Sequence, residues 1–192
     1  MAYEQGDSVD APPKGGVVFA GSSSVRMWKT LAEDLAPLPV LNRGFGGSTF
    51  PELLHYADRI IFAYEPRCVV LYEGDNDIAA DSMQPEDVLA NLQVYLEQAE
   101  KAIPGSQTYF LAVKPSIRRK ELLPKAQRTN ALIRQFAAQT EGLFFLDVAS
   151  VMMESETQIR SDIFIQDSLH MNPTGYALWT EVVRPALMAG CQ

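Results

Sequence analysis

The sequence contains little cysteine and little histidine, the residues that most often build metal sites and disulfide frameworks. Its 192 residues include two cysteines, Cys68 and Cys191, and two histidines. The cysteines stand far apart and form neither a CxxC pair nor a Cys/His cluster. This spacing predicts no zinc site and no disulfide framework. We therefore expect no metal and no cofactor.

The N-terminal residues lack the layout of a secretory signal. Residues 1–10 are polar and acidic, whereas a signal begins with basic residues and continues with an apolar stretch. The cysteine pattern also favours a reducing compartment. Together these features predict a cytoplasmic location, or a periplasmic one if a leader has been removed.

Long apolar runs and excess basic charge are missing as well. No run of about 18 apolar residues occurs, so we expect no membrane span. The 16 Lys and Arg are outnumbered by 24 Asp and Glu, which gives a formal net charge of −8. A nucleic acid or an anionic membrane surface needs a basic face on its partner. Nucleic acids and membranes are therefore not expected partners, and no feature specifies an oligomeric state.

The chain does contain a regular alternation of short apolar runs and longer amphipathic segments. The apolar runs predict five strands, at residues 16–20, 40–41, 68–72, 108–113 and 143–147. Strands that alternate with helices are typical of βαβ units around a parallel sheet. We predict a single domain over residues 1–192, with an N-terminal arm at 1–14. Its fold class is α/β, a three-layer α/β/α sandwich with a five-stranded parallel sheet of flavodoxin-like type.

Ser23 is the first candidate for chemistry, because it lies in a tight turn between the first strand and a helix predicted over residues 25–36. Free amides at a helix N-terminus favour developing negative charge, and a serine with an adjacent base can act as a nucleophile. The alternative is that Ser22, Ser23 and Ser24 only cap the helix.

Asp167 and His170 form a second candidate pair. An aspartate three residues before a histidine can accept a hydrogen bond from ring Nδ1 and leave Nε2 free to take a proton. The alternative is a surface loop in which the two side chains never meet. The other histidine, His55, lies in a helical pattern and is interpreted as structural.

Asn76 and the glycine-rich residues 44–47 follow the third and second predicted strands. An amide side chain and the backbone N–H groups of glycines can donate hydrogen bonds to an oxyanion. An Asx turn and a plain loop are the respective alternatives. In parallel sheets, ligands bind beyond the carboxyl ends of the strands. The candidates together would supply a nucleophile, a base with its orienting acid, and oxyanion donors.

A basic segment follows the fourth strand, between residues 114 and 128. The simplest interpretation is the solvated face of a helix. The alternative is that Lys114 or Arg118 borders the site and meets an anionic group of the substrate. Other motifs are incomplete: the glycine-rich loop lacks the third glycine of a dinucleotide fingerprint, and no Gly-x-Ser-x-Gly elbow occurs.

The order of these residues resembles the SGNH, or GDSL-type, hydrolase family over nearly the whole chain. The family's first block, Gly-Asp-Ser, corresponds to residues 21–23, where Ser22 replaces the aspartate. This Gly-Ser-Ser form is similar to a bacterial subgroup of esterase-like members. The remaining blocks correspond to residues 42–47, 74–77 and 167–170.

The resemblance implies a role for each matched residue. Ser23, Asp167 and His170 would be the catalytic residues, and the oxyanion hole would consist of Ser23, Gly47 and Asn76. The implied function is that of a serine esterase that hydrolyses short-chain acyl esters, such as O-acetyl groups on carbohydrate, through an acyl-enzyme on Ser23. The partner would then be a small-molecule or carbohydrate ester. Two alternatives stay open: a thioesterase or acyltransferase with the same nucleophile, and a non-catalytic ligand-binding module.

Overall fold

A five-stranded parallel sheet forms the centre of the protein. The computed structural model describes residues 2–7, 11–80 and 83–191. The sheet order is β2-β1-β3-β4-β5, and every neighbouring pair is parallel. The strands are β1 (Val17–Gly21), β2 (Val40–Gly44), β3 (Cys68–Tyr72), β4 (Gln107–Leu111) and β5 (Leu143–Leu146). The predicted α/β fold with five parallel strands is confirmed.

Helices cover both faces of this sheet. Proline begins two of them, as the sequence suggests, and Asn172 caps the last by accepting a hydrogen bond from Gly175 N–H. The α-helices of the described residues are α1 (Ala2–Asp7), α2 (Ser23–Arg26), α3 (Leu31–Asp34), α4 (Phe50–Ile60), α5 (Pro85–Ala102), α6 (Leu123–Ala137) and α7 (Pro173–Gly190). Short 3-10 helices occupy Phe62–Tyr64, Ile117–Leu122 and Ser150–Met152. None of the helices in the described ranges has the length and apolar character needed to cross a membrane.

Alternate residues of β1 point into two separate hydrophobic cores. Val17 and Phe19 pack with residues of α3 and α7 on one face, whereas Val18 and Ala20 pack with α4, α5 and α6 on the other. Because both faces are buried, the strand is apolar throughout. This double burial explains why the sheet appears in the sequence as continuous apolar runs.

The helix predicted over residues 25–36 is wrong in its middle. Helix α2 ends at Arg26 and α3 begins at Leu31. The Asp34 carboxylate accepts hydrogen bonds from the Trp28 indole at 2.6 Å and from the Thr30 hydroxyl at 2.7 Å. Trp28 is also buried and stacks on Tyr176, with ring centroids 5.4 Å apart. Tertiary burial of the tryptophan therefore outweighs the local helical pattern.

The predicted N-terminal arm is partly described. Residues 1 and 8–10 of the arm lie outside the described residues, and Ala2–Asp7 forms α1. The Tyr3 hydroxyl donates to the carbonyl oxygen of Gly44, and Arg43 donates to the Asp7 carboxylate at 2.6 Å. Helix α1 thus contacts the carboxyl end of the edge strand β2.

The two cysteines form a disulfide, contrary to the expectation from their spacing. Cys68 begins β3 and Cys191 follows α7, 123 positions later in the chain. The bond arises because α7 packs back across the sheet, which no linear motif reports. It joins the C-terminal helix to the amino end of the central strand. The cytoplasmic location stays a prediction, now without support from the cysteine pattern.

Candidate active site

Of the three serines in the turn after β1, Ser23 is the accessible one. Strand β1 ends at Gly21, whose φ of +142° suits glycine, and a Cβ there would lie 2.1 Å from the Tyr72 carbonyl oxygen. Ser22 N–H donates to that same oxygen at 3.1 Å. Ser22 and Ser24 are buried and Ser23 is partly exposed. Ser22, the N-cap of α2, makes no side-chain capping hydrogen bond, so the capping interpretation lacks its expected contact.

Ser23, His170 and Asp167 form a continuous hydrogen-bonded chain. His170 Nε2 lies 2.9 Å from Ser23 Oγ, and His170 Nδ1 lies 2.6 Å from Asp167 Oδ2. The backbone N–H groups of Leu169 and His170 both donate to Asp167 Oδ1 at 2.9 Å. The three predicted side chains therefore meet, and the loop in which Asp167 and His170 stay apart is excluded. This is the geometry in which an imidazole can take a proton from a hydroxyl.

The electrostatics of this chain keep Asp167 ionised. Burial alone would raise the pKa of Asp167, but the hydrogen bonds from the His170 ring and from the His170 and Leu169 backbone outweigh it. The pKa of Asp167 is lowered to about 2. A carboxylate that stays negative can stabilise an imidazolium on His170 and hold the tautomer with the proton on Nδ1.

Gly47 and Asn76 belong to the loops after the two strands that flank β1. Strand β1 pairs with β2 on one side and β3 on the other, so the loops after these strands flank the serine. Asn76 Nδ2 donates to the Ser48 carbonyl oxygen at 2.8 Å, which joins the two loops. Within the described part of the chain, the N–H groups of Ser23 and Gly47 and the second Nδ2–H of Asn76 have no acceptor. These donors are accessible to a ligand, because Gly47 is exposed and Ser23 and Asn76 are partly exposed.

A buried cluster of charged side chains lies beside Asn76 and was not predicted from the sequence. Asp75 Oδ2 accepts from Lys114 Nζ at 3.2 Å, and Asp75 Oδ1 accepts from Arg119 at 2.7 Å. Burial raises the pKa of Asp75, but the two cations outweigh it and hold the pKa below its usual value. Lys114 is therefore neither on a solvated face nor at a substrate-facing rim, whereas Arg118 is exposed. Sequence patterns miss the cluster because its members follow different strands: Asp75 comes after β3, and Lys114 and Arg119 come after β4.

Two further acidic residues, Asp77 and Glu73, make buried hydrogen bonds that hold the loops after β2 and β3. Asp77 accepts hydrogen bonds from Phe50 N–H at 2.8 Å and from Gly74 N–H at 3.1 Å. These bonds connect the loop after β3 to the start of α4. Glu73 is fully buried and accepts from Ser48 Oγ at 2.5 Å. Burial raises the pKa of Glu73 well above its usual value. Its other oxygen has no partner within the described residues.

The described residues contain no group of three or more His, Cys, Asp or Glu side chains arranged to hold a metal ion. His55 is exposed and contacts Tyr56 edge to face. The groups that meet at the Ser23 turn are a hydroxyl, an imidazole and a carboxylate.

The fold and this constellation define an α/β hydrolytic protein of the SGNH type, and comparison with known families agrees. The family model of the GDSL-like lipase/acylhydrolase family matches residues 6–178. The chain belongs to this family. The match does not confirm the particular Gly-Ser-Ser subgroup. No curated protein sequence matches the chain.

Solved structures share the fold at low sequence identity. A GDSL-like lipase from Bacteroides thetaiotaomicron is 21% identical, with a TM-score of 0.84 over 98% of this chain and 96% of the other. A protein of the G-D-S-L family from Desulfitobacterium hafniense is 18% identical, with a TM-score of 0.75 over 89% and 98%. An acetylxylan esterase from Geobacillus stearothermophilus is 13% identical, with a TM-score of 0.69 over 88% and 92%.

Proposed function

We propose that this protein is a serine esterase that hydrolyses short-chain acyl esters through an acyl-enzyme on Ser23. The observation that carries the proposal is the chain of hydrogen bonds from Ser23 Oγ through the His170 ring to Asp167. A free serine hydroxyl is a weak nucleophile, and an imidazole at 2.9 Å is the base it needs. Membership of an acylhydrolase family supports the same chemistry.

The first half of the reaction transfers the acyl group to the serine. As Ser23 Oγ attacks the ester carbonyl carbon, its proton passes to His170 Nε2, and the carbonyl electron pair moves onto oxygen. When the tetrahedral intermediate collapses, the bond to the alcohol oxygen breaks and His170 returns the proton to that oxygen. Asp167 stays ionised throughout and stabilises the imidazolium.

The second half releases the acid. Water attacks the acyl-enzyme and gives a proton to His170, and collapse of the second tetrahedral intermediate returns that proton to Ser23 Oγ. Both intermediates carry a negative oxygen. The unpaired N–H groups of Ser23, Gly47 and Asn76 are the donors that we assign to it. Loss of one such donor costs on the order of 10²–10³ in kcat in acyl transfer.

For the substrate we propose short acyl groups, with O-acetyl groups on carbohydrate as the leading class. Ser23 is partly exposed in the turn after β1, which suits a small acyl group. An acetylxylan esterase is among the proteins that share the fold. A small-molecule or carbohydrate ester is the corresponding partner.

The proposal is tested by comparing wild type with Ser23→Ala on a panel of substrates. The panel contains p-nitrophenyl esters from acetate to dodecanoate, an acetylated xylo-oligosaccharide and acetyl-CoA. We expect the highest kcat/KM on acetate and sugar acetate, and no hydrolysis by Ser23→Ala. Faster turnover of dodecanoate contradicts the short-chain preference, and faster turnover of acetyl-CoA favours a thioesterase or acyltransferase. No turnover of any member by wild type favours a ligand-binding module.

A further inference from the structure

The side chain of Asn76 lies between two groups of opposite hydrogen-bonding character. Its Oδ1 accepts from an Arg119 guanidinium nitrogen at 3.0 Å, and its Nδ2 donates to the Ser48 carbonyl oxygen at 2.8 Å. A guanidinium can only donate and a carbonyl oxygen can only accept. The reversed amide would place NH₂ against the guanidinium and Oδ1 against the carbonyl. Both neighbours therefore specify the same orientation, which leaves one Nδ2–H without an acceptor in the described part of the chain.

Arg119 is itself held firmly in place. Its Nη1 donates to the Asp75 carbonyl oxygen at 2.9 Å and to Asp75 Oδ1 at 2.7 Å, while its Nη2 reaches Asn76. The Arg119 side chain is 22% exposed. A planar guanidinium that binds three acceptors keeps a fixed geometry that a lysine ammonium could not reproduce.

The anchor of Arg119 also contacts the loop of the base. Asp75 Oδ2 accepts from Lys114 Nζ, and Lys114 Nζ donates to the Leu169 carbonyl oxygen at 2.9 Å, one residue before His170. The Lys114 side chain is 1% exposed. Two cations on one carboxylate leave this cluster with excess positive charge beside Asn76. The cluster thus lies between the loop of the amide donor and the loop of the histidine.

We propose that Arg119 is the positioning residue of the oxyanion hole: it fixes the Asn76 amide with its free N–H available to the substrate oxyanion and polarises that N–H by binding Oδ1. The inference rests on the proposed function, because it concerns a donor to the oxyanion of an acyl transfer. Hydrogen bonds in a chain polarise one another in a low-dielectric environment, so a cation on Oδ1 makes Nδ2–H a stronger donor. Arg119 acts through Asn76 and not on the substrate.

This role predicts an effect on kcat rather than on KM. The negative oxygen exists in the tetrahedral states and not in the ground-state ester, so a donor aimed at it raises the rate of the chemical step. A residue that binds the substrate directly would change KM instead. A residue that only stabilises the fold would change the melting temperature and not the kinetic constants of the folded protein.

The experiment measures kcat and KM for p-nitrophenyl acetate in wild type, Arg119→Ala, Asn76→Ala and the double variant, with Lys120→Ala as the exposed neighbouring control. We expect Arg119→Ala to lower kcat on the order of 10- to 100-fold, somewhat less than Asn76→Ala, with KM within about twofold. Because Arg119 acts through Asn76, the double variant should be no slower than Asn76→Ala alone. Lys120→Ala should match wild type.

Two further measurements extend the test, and the second, on Arg119→Lys, keeps the inference falsifiable if Arg119→Ala does not fold: wild-type kcat in Arg119→Lys would overturn it. Methylguanidine added to Arg119→Ala should raise kcat toward wild type, with no effect on Asn76→Ala, and Arg119→Lys should recover only part of the rate because it lacks the planar fork. Wild-type kcat in Arg119→Ala, a change in KM alone, full additivity in the double variant, or no rescue by methylguanidine would overturn the inference. An inactive wild type or a fully active Ser23→Ala instead contradicts the proposed function itself.

Discussion

His170 Nε2 lies 2.9 Å from Ser23 Oγ, although 147 positions separate the two residues in the chain. The fold produces this contact, because Ser23 follows the carboxyl end of β1 and the loop before α7 places His170 at the same edge of the sheet. That loop is held by Asp167, which binds both the His170 ring and its backbone N–H. One aspartate therefore orients the base and shapes the turn that carries it.

Replacement of Asp167 by asparagine should reduce kcat far more than it reduces stability. The amide has no charge to stabilise an imidazolium, and its NH₂ group favours the wrong histidine tautomer, so we expect a loss on the order of 10⁴ in kcat. Asp162→Asn is the matched control, since Asp162 pairs with Arg160 away from the Ser23 chain. Steady-state kinetics on p-nitrophenyl acetate measure both variants. Equal activity in the two would contradict the assigned role of Asp167.

Gly47→Ala and Gly105→Ala form a matched pair of backbone substitutions. Gly47 has φ +78° and Gly105 has φ +79°, and an added Cβ meets nothing within 4 Å at either position. A left-handed alanine costs about 1–2 kcal/mol, so thermal unfolding should show similar losses of stability for both. Gly105 precedes β4, at the opposite edge of the sheet from Ser23. Only Gly47→Ala should also lose kcat, because it shifts an oxyanion donor; equal kcat in both variants argues against that role.

The Cys68–Cys191 disulfide should stabilise the fold without contributing to activity. Removal of a disulfide that closes a long loop costs about 2–5 kcal/mol. The Cys68→Ser/Cys191→Ser variant, and wild type in reductant, should therefore melt at a lower temperature and retain wild-type kcat at temperatures where they are folded. The bond lies at the amino end of β3, and the site at its carboxyl end. Two free thiols in the oxidised, folded protein would contradict the pairing.

Glu73→Gln should change how stability depends on pH. The pKa of Glu73 is raised by burial in the folded protein and has its ordinary value near 4.5 in the unfolded chain. Its contribution to stability is present below pH 4.5 and is lost as the pH rises toward the folded pKa, by about 1.4 kcal/mol per pH unit. Glutamine cannot ionise, so the free energy of unfolding of the variant should rise relative to that of wild type as the pH rises above 4.5. If the free energies of unfolding of wild type and Glu73→Gln differed by a constant amount at every pH in this range, Glu73 would not have a raised pKa in the folded protein.

The fold could be predicted from the sequence because its signals are local. Strands β1, β3 and β5 are apolar runs apart from the terminal glycine of β1, whereas β2 is apolar only in its first two residues. Proline marks the starts of α5 and α7 where the pattern places them. The meeting of Ser23 with His170 and Asp167 could be predicted for a related reason. In a parallel sheet, the loops after successive strands gather at one edge, so residues of these loops are expected near one another without any knowledge of side-chain conformations.

The features that could not be predicted depend on contacts between distant parts of the chain. Lys114 belongs to a basic segment in the sequence, and only its partner Asp75, 39 positions earlier, explains its burial. Cys68 meets Cys191 only after α7 packs across the sheet. The break between α2 and α3 likewise follows from the burial of Trp28 against Tyr176. In each case tertiary packing outweighs local propensity.

The most direct test of the account is to treat the folded protein with a fluorophosphonate, which phosphonylates a serine activated by an adjacent base, and to map the modified peptide by mass spectrometry. We predict a single adduct, on Ser23, which is absent in Ser23→Ala and forms far more slowly in His170→Ala. No adduct on the wild-type protein, an adduct on another residue, or undiminished labelling of His170→Ala would contradict the account.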